Sequence, residues 1–355
     1  MFPSCINHRN ELLLCYRNVT MRRNLYSILL LLVLLAIVVF YAHSRKRYIT
    51  TQGTVWTTEY HITYEARFDM VDSINAVLAR IDESASAYNQ SSLVSQFNTM
   101  GNVVVDDILT VLVEESLQVY ELSDGAYDPT VMPLVKAWKK AAKENRNLSQ
   151  GYIDSLCSFV GFDKIKIVND TLRATDKRVQ LDFSSIAKGL ACDEMGRMLE
   201  RNGVENYLVE IGGEVVAHGV NDRGEAWHVS VDQPVDDVSS TNHESGIVLA
   251  MKDVAVATSG NYRQFSQIDG KRVTHIIDPR TGKAQQSDLL SVTVVATHCV
   301  TADAWATACM AMGTKVSQTL MEKNDKVGVM TISADSAGNY IVWSNAAFTN
   351  YIPSK

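Results

Sequence analysis

An aspartate and a threonine four residues apart, Asp303 and Thr307, sit in a run whose other members are nearly all apolar: Ala302, Ala304, Trp305, Ala306, Ala308 and Met310. At helical spacing the two share one face. A carboxylate and a hydroxyl on a helix otherwise suited to a core need a partner, because burying an unpaired charge is prohibitive. Two hard oxygens suit Mg2+, which takes few protein ligands and leaves positions for phosphate and water. The plainer alternative is that Asp303 caps the first turn of its helix.

Upstream, Leu181-Asp-Phe-Ser-Ser-Ile-Ala-Lys-Gly189 reads as a strand ending at Asp182, with Ser184 or Ser185 capping the helix that follows. Lys188 then falls in the first turn, where the helix dipole disfavours a cation but an incoming phosphate welcomes one. A surface lysine on an ordinarily capped helix is the alternative. Val256-Ala-Thr-Ser-Gly-Asn-Tyr262 and His275-Ile-Ile-Asp-Pro-Arg-Thr-Gly282 each read as a strand running into a turn, where sites are commonly assembled. His275 is the histidine placed to act there as a general base, unless it is a hydrogen-bonded structural residue. Two polar turns, Ser86 to Asn98 and Gly125 to Leu134, carry Tyr88 and Tyr127, each able to stack on a flat ring or to sit at a domain edge. Glu210-Ile-Gly-Gly-Glu-Val215 is a Gly-Gly turn between strands. The chain has no GxGxxG, Walker, GxSxG or HExxH motif in a convincing place.

These residues must be positioned by a mixed set of elements. Thr51 to Glu65 alternates like a strand, and Phe68–Ile81 and Ile108–Leu122 carry helical apolar spacing. Leu134–Asn145 and Ile153–Val160 read as helices, Lys164–Val168 with Leu172–Ala174 as a hairpin, and Val179–Asp182 as a strand. Helices are expected at Ile186–Arg201 and Thr301–Met312, the latter capped by Thr301 and stopped by Gly313. Strands are expected at Tyr207–Ile211, Val215–Gly219, Trp227–Asp232, Ile247–Lys252, Val254–Thr258, Val273–Ile277, Ser291–Ala296, Val327–Ser333 and Asn339–Trp343. Without a regular βαβ alternation, the class is α+β.

Ahead of this body, Leu25 to Ala42 is apolar and free of charge, just long enough to span a bilayer as a helix. Ala42-His43-Ser44 makes a poor cleavage site, so the run reads as an anchor rather than a removed signal. Met21-Arg22-Arg23-Asn24 resembles the start of a secretory signal, which makes Met21 an alternative first residue. The organisation expected is a short N-terminal segment (1–24), an anchor (25–42), a linker (43–50) and one large domain (51–350). The flanking basic residues are too evenly divided to orient the anchor.

The whole chain carries 33 Lys/Arg and 40 Asp/Glu; residues after 47 keep a formal charge of −13. So acidic a body excludes nucleic acid as a partner and leaves anionic ligands only a local site, one that a metal would suit. Six cysteines with no CxxC pair argue against a zinc site or redox couple and for small buried apolar residues.

Taken in order, GTVW, SxYxxxSxxSxFN, GAYDPTVMPL, DFSSIAKG, EIGGE, ATSGNY, HIIDPRTG and ADAWATACMAMG resemble the ApbE family of FAD:protein FMN transferases, from about Gly53 to Gly313. The resemblance implies a two-lobed domain with FAD in the cleft and Mg2+ on its pyrophosphate. It implies Asp303, Thr307 and Ser185 as metal ligands, and Tyr88, Ala126, Tyr127, Asp128, Asp182, Lys188 and Ile277 as FAD contacts. Lys188 departs from relatives with glutamate there, and Gln52 stands where methionine is frequent. The implied reaction transfers FMN to a threonine of an acceptor flavoprotein subunit of a membrane redox complex, with His275 as base and AMP leaving. The family's setting implies a body outside the cytoplasmic membrane. The rivals are an FAD pyrophosphatase, which differs only in using water, and a non-catalytic FAD-binding protein.

Overall fold

Alternating β-branched and aromatic residues build the centre of the molecule. The computed structural model describes residues 25–35, 46–231, 246–260, 265–268, 271–274, 276–285 and 288–353. Eight strands form one sheet in the order Arg47–Val55, Thr58–Ala66, Tyr207–Ile211, Glu214–His218, Val254–Gly260, Leu289–Ala296, Gly328–Ala334, Tyr340–Ser344. The registers are antiparallel, with Tyr60 opposite Ile211, Ala255 opposite Val216, Thr258 opposite Thr293 and Thr331 opposite Trp343. The expected long strand from Thr51 to Glu65 is therefore a hairpin, turning at Trp56 and Thr57 with φ of 48° and 66°.

Period-2 alternation divides the sheet's side chains between two layers. On one face Val215, Ala217, Val256, Val295, Met330 and Ile332 pack with Phe348 and with Trp227, Val231, Leu249 and Met251 of the hairpin Trp227–Val231/Ile247–Met251. On the other, helix Cys299–Met312 lies on strands Val254–Gly260 and Leu289–Ala296, beside helix Ala187–Arg201. Helices Val71–Ala85 and Asp107–Leu122 pack behind those two. Helix Cys299–Met312 is apolar all round and buries twelve of its fourteen residues, as a helix enclosed on every side should. A small sheet of Asn102–Val104, Thr171–Ala174 and Ile165–Val168 completes the mixed α+β arrangement.

Several expectations are corrected. Val179–Asp182 is not a ladder strand; it makes a single bridge, Val131 to Gln180. Asn98 instead holds it, accepting from the Leu181 N–H (2.6 Å) and donating to the Leu181 carbonyl (2.9 Å). Ser86–Asn98 is only half a turn, because Leu93–Met100 is a helix capped by Ser92 and ended by left-handed Gly101. Helix Ala187–Arg201 has no serine cap, since the Ser184 hydroxyl is bound to Asp182 and Ile186 holds the cap position. From residue 48 onward, 66–68 apart, the chain forms one compact unit.

Residues 1–47 and 66–68 form a second unit. Residues 25–35 are helical with exposed side chains, and 36–45 lie outside the described residues. Among the described residues no helix is long and apolar enough to cross a membrane.

Candidate active site

The helix carrying Asp303 and Thr307 starts at Cys299, two residues before the expected Thr301 cap. Its cap comes from elsewhere. Asp193, on helix Ala187–Arg201, accepts the backbone N–H groups of Cys299 (2.8 Å) and Val300 (2.9 Å). These are two of the amides that a helix start leaves unpaired. Asp303 is thus the fifth residue of its helix, and the capping role that would have explained it is already filled.

Asp303 is buried, and its Oδ2 accepts the Gly189 N–H at 3.1 Å. The approach of the two helices requires glycine there. A Cβ on Gly189 would lie 2.6 Å from the Cys299 carbonyl oxygen and 3.0 Å from the Asp303 Cβ. Burial pushes the Asp303 carboxyl up to about 6, against the pull of the Lys188 charge. Asp193 is likewise pushed up to about 6 by burial, despite its two amide donors.

Lys188, adjacent to Gly189, is ion-paired through Nζ with Oε2 of Glu214. Glu214 was not singled out by sequence beyond its Gly-Gly turn. It opens strand Glu214–His218 directly after Gly212 and Gly213, whose φ of 63° and 99° make a two-residue hairpin turn open mainly to glycine. A Cβ on Gly212 would meet Lys188 Cδ at 3.3 Å and Thr58 Oγ1 at 2.8 Å, so the turn sits against the lysine. Glu214 is 3% exposed, and its buried Oε2 has no hydrogen-bond partner beyond the Lys188 ion pair. Burial, then the Asp303 charge, push its carboxyl up to about 8, with Lys188 opposing. Burial acts to neutralise Lys188, but Asp303 and Glu214 outweigh it and raise its pKa, so the ammonium stays charged.

A third segment joins them. Asp182 donates its backbone N–H to the Pro129 carbonyl (2.8 Å), tying 126–130 to 181–185. Its carboxylate accepts the Ser184 N–H at 2.9 Å. The Tyr127 hydroxyl hydrogen-bonds Ser116 at 3.5 Å and lies near Ser185. Tyr127 is 2% exposed, so its ring is a core element, and burial keeps its hydroxyl protonated. Ala126 is buried and offers backbone alone. Asp128 spends its carboxylate on the Thr130 N–H (2.8 Å) and hydroxyl (2.6 Å), and burial pushes it up to about 6.

The structure therefore brings together Asp303, Lys188, Ser185, Tyr127 and Asp182, with half-buried Thr307 one turn beyond Asp303. Tyr88 and Ile277 lie in other surroundings. Tyr88 is 65% exposed and receives a hydrogen bond from Lys139 Nζ (2.9 Å). Its loop is tied through Asn89 Nδ2 to Asp82 Oδ2 (2.7 Å) and on to Trp56 Nε1 (3.1 Å). Ile277 packs with Leu134, Ile153 and Val160. His275, Asn261 and Tyr262 lie outside the described residues. Cys157, Cys192, Cys299 and Cys309 are free thiols, the last three buried, as small apolar residues would be.

The donor set fits Mg2+. A buried carboxylate whose charge burial disfavours, a hydroxyl one turn on and a hydroxyl on a neighbouring loop are hard oxygens. Among the described residues no group of three or more His, Cys, Asp or Glu could hold a metal.

A family model for the ApbE family matches residues 53–331, most of the chain. The chain belongs to the ApbE family. The FAD:protein FMN transferase of Escherichia coli (strain K12) is 29% identical over 319 residues, covering 86% of this chain and 88% of that protein. The Vibrio cholerae FAD:protein FMN transferase is 32% identical over 295 residues, covering 80% and 87%. Among solved structures, flavin transferase ApbE from Vibrio cholerae superposes with a TM-score of 0.75 at 28% identity, covering 86% of this chain and all of that one. The apo flavinyl transferase ApbE of Pseudomonas stutzeri gives 0.77 at 27% identity, over 88% and 98%. Two residues of this ApbE-family site, Asp193 and Glu214, escaped the sequence reading. The available signal was an acid among small buried residues in Gly-Leu-Ala-Cys-Asp, and an acid directly after Gly-Gly.

Proposed function

We propose that this chain is an FAD:protein FMN transferase, moving FMN from FAD to a threonine hydroxyl of a partner flavoprotein in a Mg2+-dependent reaction that releases AMP. The observation that carries the reading is the buried Asp303, held by the Gly189 N–H in the field of a charged Lys188, in a chain matched along most of its length by FAD:protein FMN transferases. Plain flavin binding has no need of a buried carboxylate held in its costly charged form.

Asp303, Thr307 and Ser185 are the residues that would hold Mg2+, which when bound neutralises charge on pyrophosphate oxygens. Lys188 adds a second positive charge at the same anion. The Asn98 clamp on Leu181 fixes the segment that carries Ser185. A threonine hydroxyl is a weak nucleophile, and His275 takes its proton. The threonine oxygen bonds to the phosphorus on the FMN side as the bond to the bridging oxygen breaks, and AMP departs with that electron pair. Tyr88, exposed and braced by Lys139, is suited to cover a flat ring of the dinucleotide. The apolar run 25–42 anchors the chain in the cytoplasmic membrane, with the 51–350 domain on the extracytoplasmic side. There it meets flavoprotein subunits of membrane redox complexes.

The test incubates the protein with FAD, Mg2+ and an acceptor domain that another transferase flavinylates, and reads both products by mass spectrometry. A metal-dependent gain of one FMN on threonine, with AMP, is expected. AMP and free FMN without adduct would make it an FAD pyrophosphatase; bound FAD without AMP would make it a binding protein. His275→Ala should lower turnover by about 10²- to 10⁴-fold with FAD still bound.

A further inference from the structure

Lys188 lies between two buried carboxylates and pairs with only one. Its Nζ reaches Oε2 of Glu214. Yet the residue after it, Gly189, donates its N–H to Asp303 Oδ2 at 3.1 Å, and its Cα would place a Cβ 3.0 Å from that of Asp303. Asp303 is also the charge that acts most strongly on Lys188 to keep it protonated. A flexible four-carbon stem gives the ammonium a choice between the two. Glu214 decides that choice because its strand starts at a fixed place. The Gly212-Gly213 turn allows one geometry, Cys192 Sγ–H donates to the Glu214 carbonyl (3.3 Å), and the side chain is 4% exposed.

We propose that Glu214 is a positioning residue for the metal site: by holding the Lys188 ammonium it keeps that cation off Asp303 and leaves Asp303 free as the ligand of a divalent cation. The inference rests on the Mg2+ reading above. Without Glu214, the nearest anion for Lys188 is Asp303, and an internal ammonium competes with the metal for its own ligand. A merely structural ion pair would cost stability when broken but would not place lysine and metal in competition.

The experiment titrates Mn2+ alone into the full-length, detergent-solubilised chain, reading free Mn2+ by its paramagnetic resonance, with thermal melts of every variant. Wild type should bind, and Asp303→Ala should not. Glu214→Gln should weaken binding by about 10- to 100-fold, the scale of losing an outer-sphere partner. Lys188→Met combined with Glu214→Gln removes both buried charges, should fold at least as well as the single variant, and should return affinity to within about threefold of wild type. A crystal structure of Glu214→Gln should show Lys188 Nζ on Asp303. Unchanged binding in a folded Glu214→Gln, a double variant still as weak as the single one, or Lys188 staying away from Asp303 would each overturn the inference. Mn2+ binding that ignores Asp303→Ala would instead overturn the metal reading, and the inference with it.

Discussion

Two helices of this chain are apolar almost throughout, and they meet their surroundings in opposite ways. Residues 25–35 leave every large apolar side chain exposed, from 50% at Val33 to 70% at Tyr26. Cys299–Met312 buries twelve of fourteen, between the sheet and helix Ala187–Arg201. Hydrophobicity by itself does not separate them. What separates them is the polar content. The exposed helix has no charge to satisfy, so any low-dielectric surrounding will cover it, and burying its ten large side chains is worth on the order of 10 kcal/mol or more. The buried helix carries Asp303, and that carboxylate demands partners supplied from within the fold: the Gly189 N–H, the Lys188 charge and the space that glycine leaves. An apolar run says that something must cover it; a charge inside the run says what the cover is for.

The comparison breaks most sharply at Asp303. Asp303→Ala should reduce FMN transfer by about 10³-fold or more while the melting profile stays cooperative, because an alanine leaves no buried charge behind. Transfer near the wild-type rate in a folded variant would remove the metal assignment. The complementary cut is at the other helix. A chain beginning at Tyr48 should move from the membrane pellet to the soluble fraction, with transfer to a soluble acceptor domain changed by no more than about twofold, since the 48–65 and 69–355 unit holds the whole site. Persistence in the pellet without aggregation would show that the apolar run is not what anchors the protein.

Much of this was legible in sequence because it rests on local pattern. Strand Tyr207–Ile211 has the expected bounds, and helix Asp107–Leu122 differs by one residue from its apolar periodicity. Asp303 and Lys188 stood out as polar residues where the local pattern did not want them. The misses came from long-range partners. The helix of Asp303 starts early because its cap, Asp193, is 106 residues away from Cys299 in sequence. Val179–Asp182 looked like a strand, but the side chain of Asn98, not a neighbouring strand, takes its backbone bonds. Glu214 acquires meaning only when the sheet brings the Gly-Gly turn to Lys188. The short helix Leu93–Met100 was readable, since Ser92 and Gly101 are the expected start and stop, but its polar content disguised it as a turn. Tyr127 reads in sequence as either a ring-stacking or a domain-edge tyrosine, and its burial at 2% exposure is set by long-range packing that the local pattern does not contain.

A finer probe within the buried helix is Thr307→Val, which keeps the volume and removes the hydroxyl. It should weaken Mg2+ dependence by about tenfold, far less than losing the carboxylate, since a neutral ligand contributes less than a charged one. An effect equal to that of Asp303→Ala would mean that the threonine does more than ligate.

The smallest effect expected is a pH dependence confined to the buried carboxylates. Asp303, Asp193 and Asp128 are pushed up to about 6 and Glu214 to about 8, all above their ordinary values and all with burial as the leading cause. Between about pH 4 and pH 8 the native state therefore holds protons that the unfolded chain has released, so stability is full below that window and falls as pH rises through it. Lys188, its pKa raised and beyond this range, adds a constant. The melting temperature of the metal-free protein should drop by about 5 °C from pH 5 to pH 8, given roughly 1.5–2 °C per kcal/mol for a domain of about 300 residues. Asp303→Asn should flatten the slope, and Mg2+ should raise the melting temperature more at pH 8 than at pH 5, where it must first displace a proton. The described residues of the exposed helix include no Asp, Glu, His, Lys or Arg, so the Tyr48 truncation should leave the profile from pH 5 to pH 8 unchanged. A slope that disappears with the truncation, or that survives Asp303→Asn undiminished, would remove Asp303 from the titrating carboxylates and undo the contrast between the two helices.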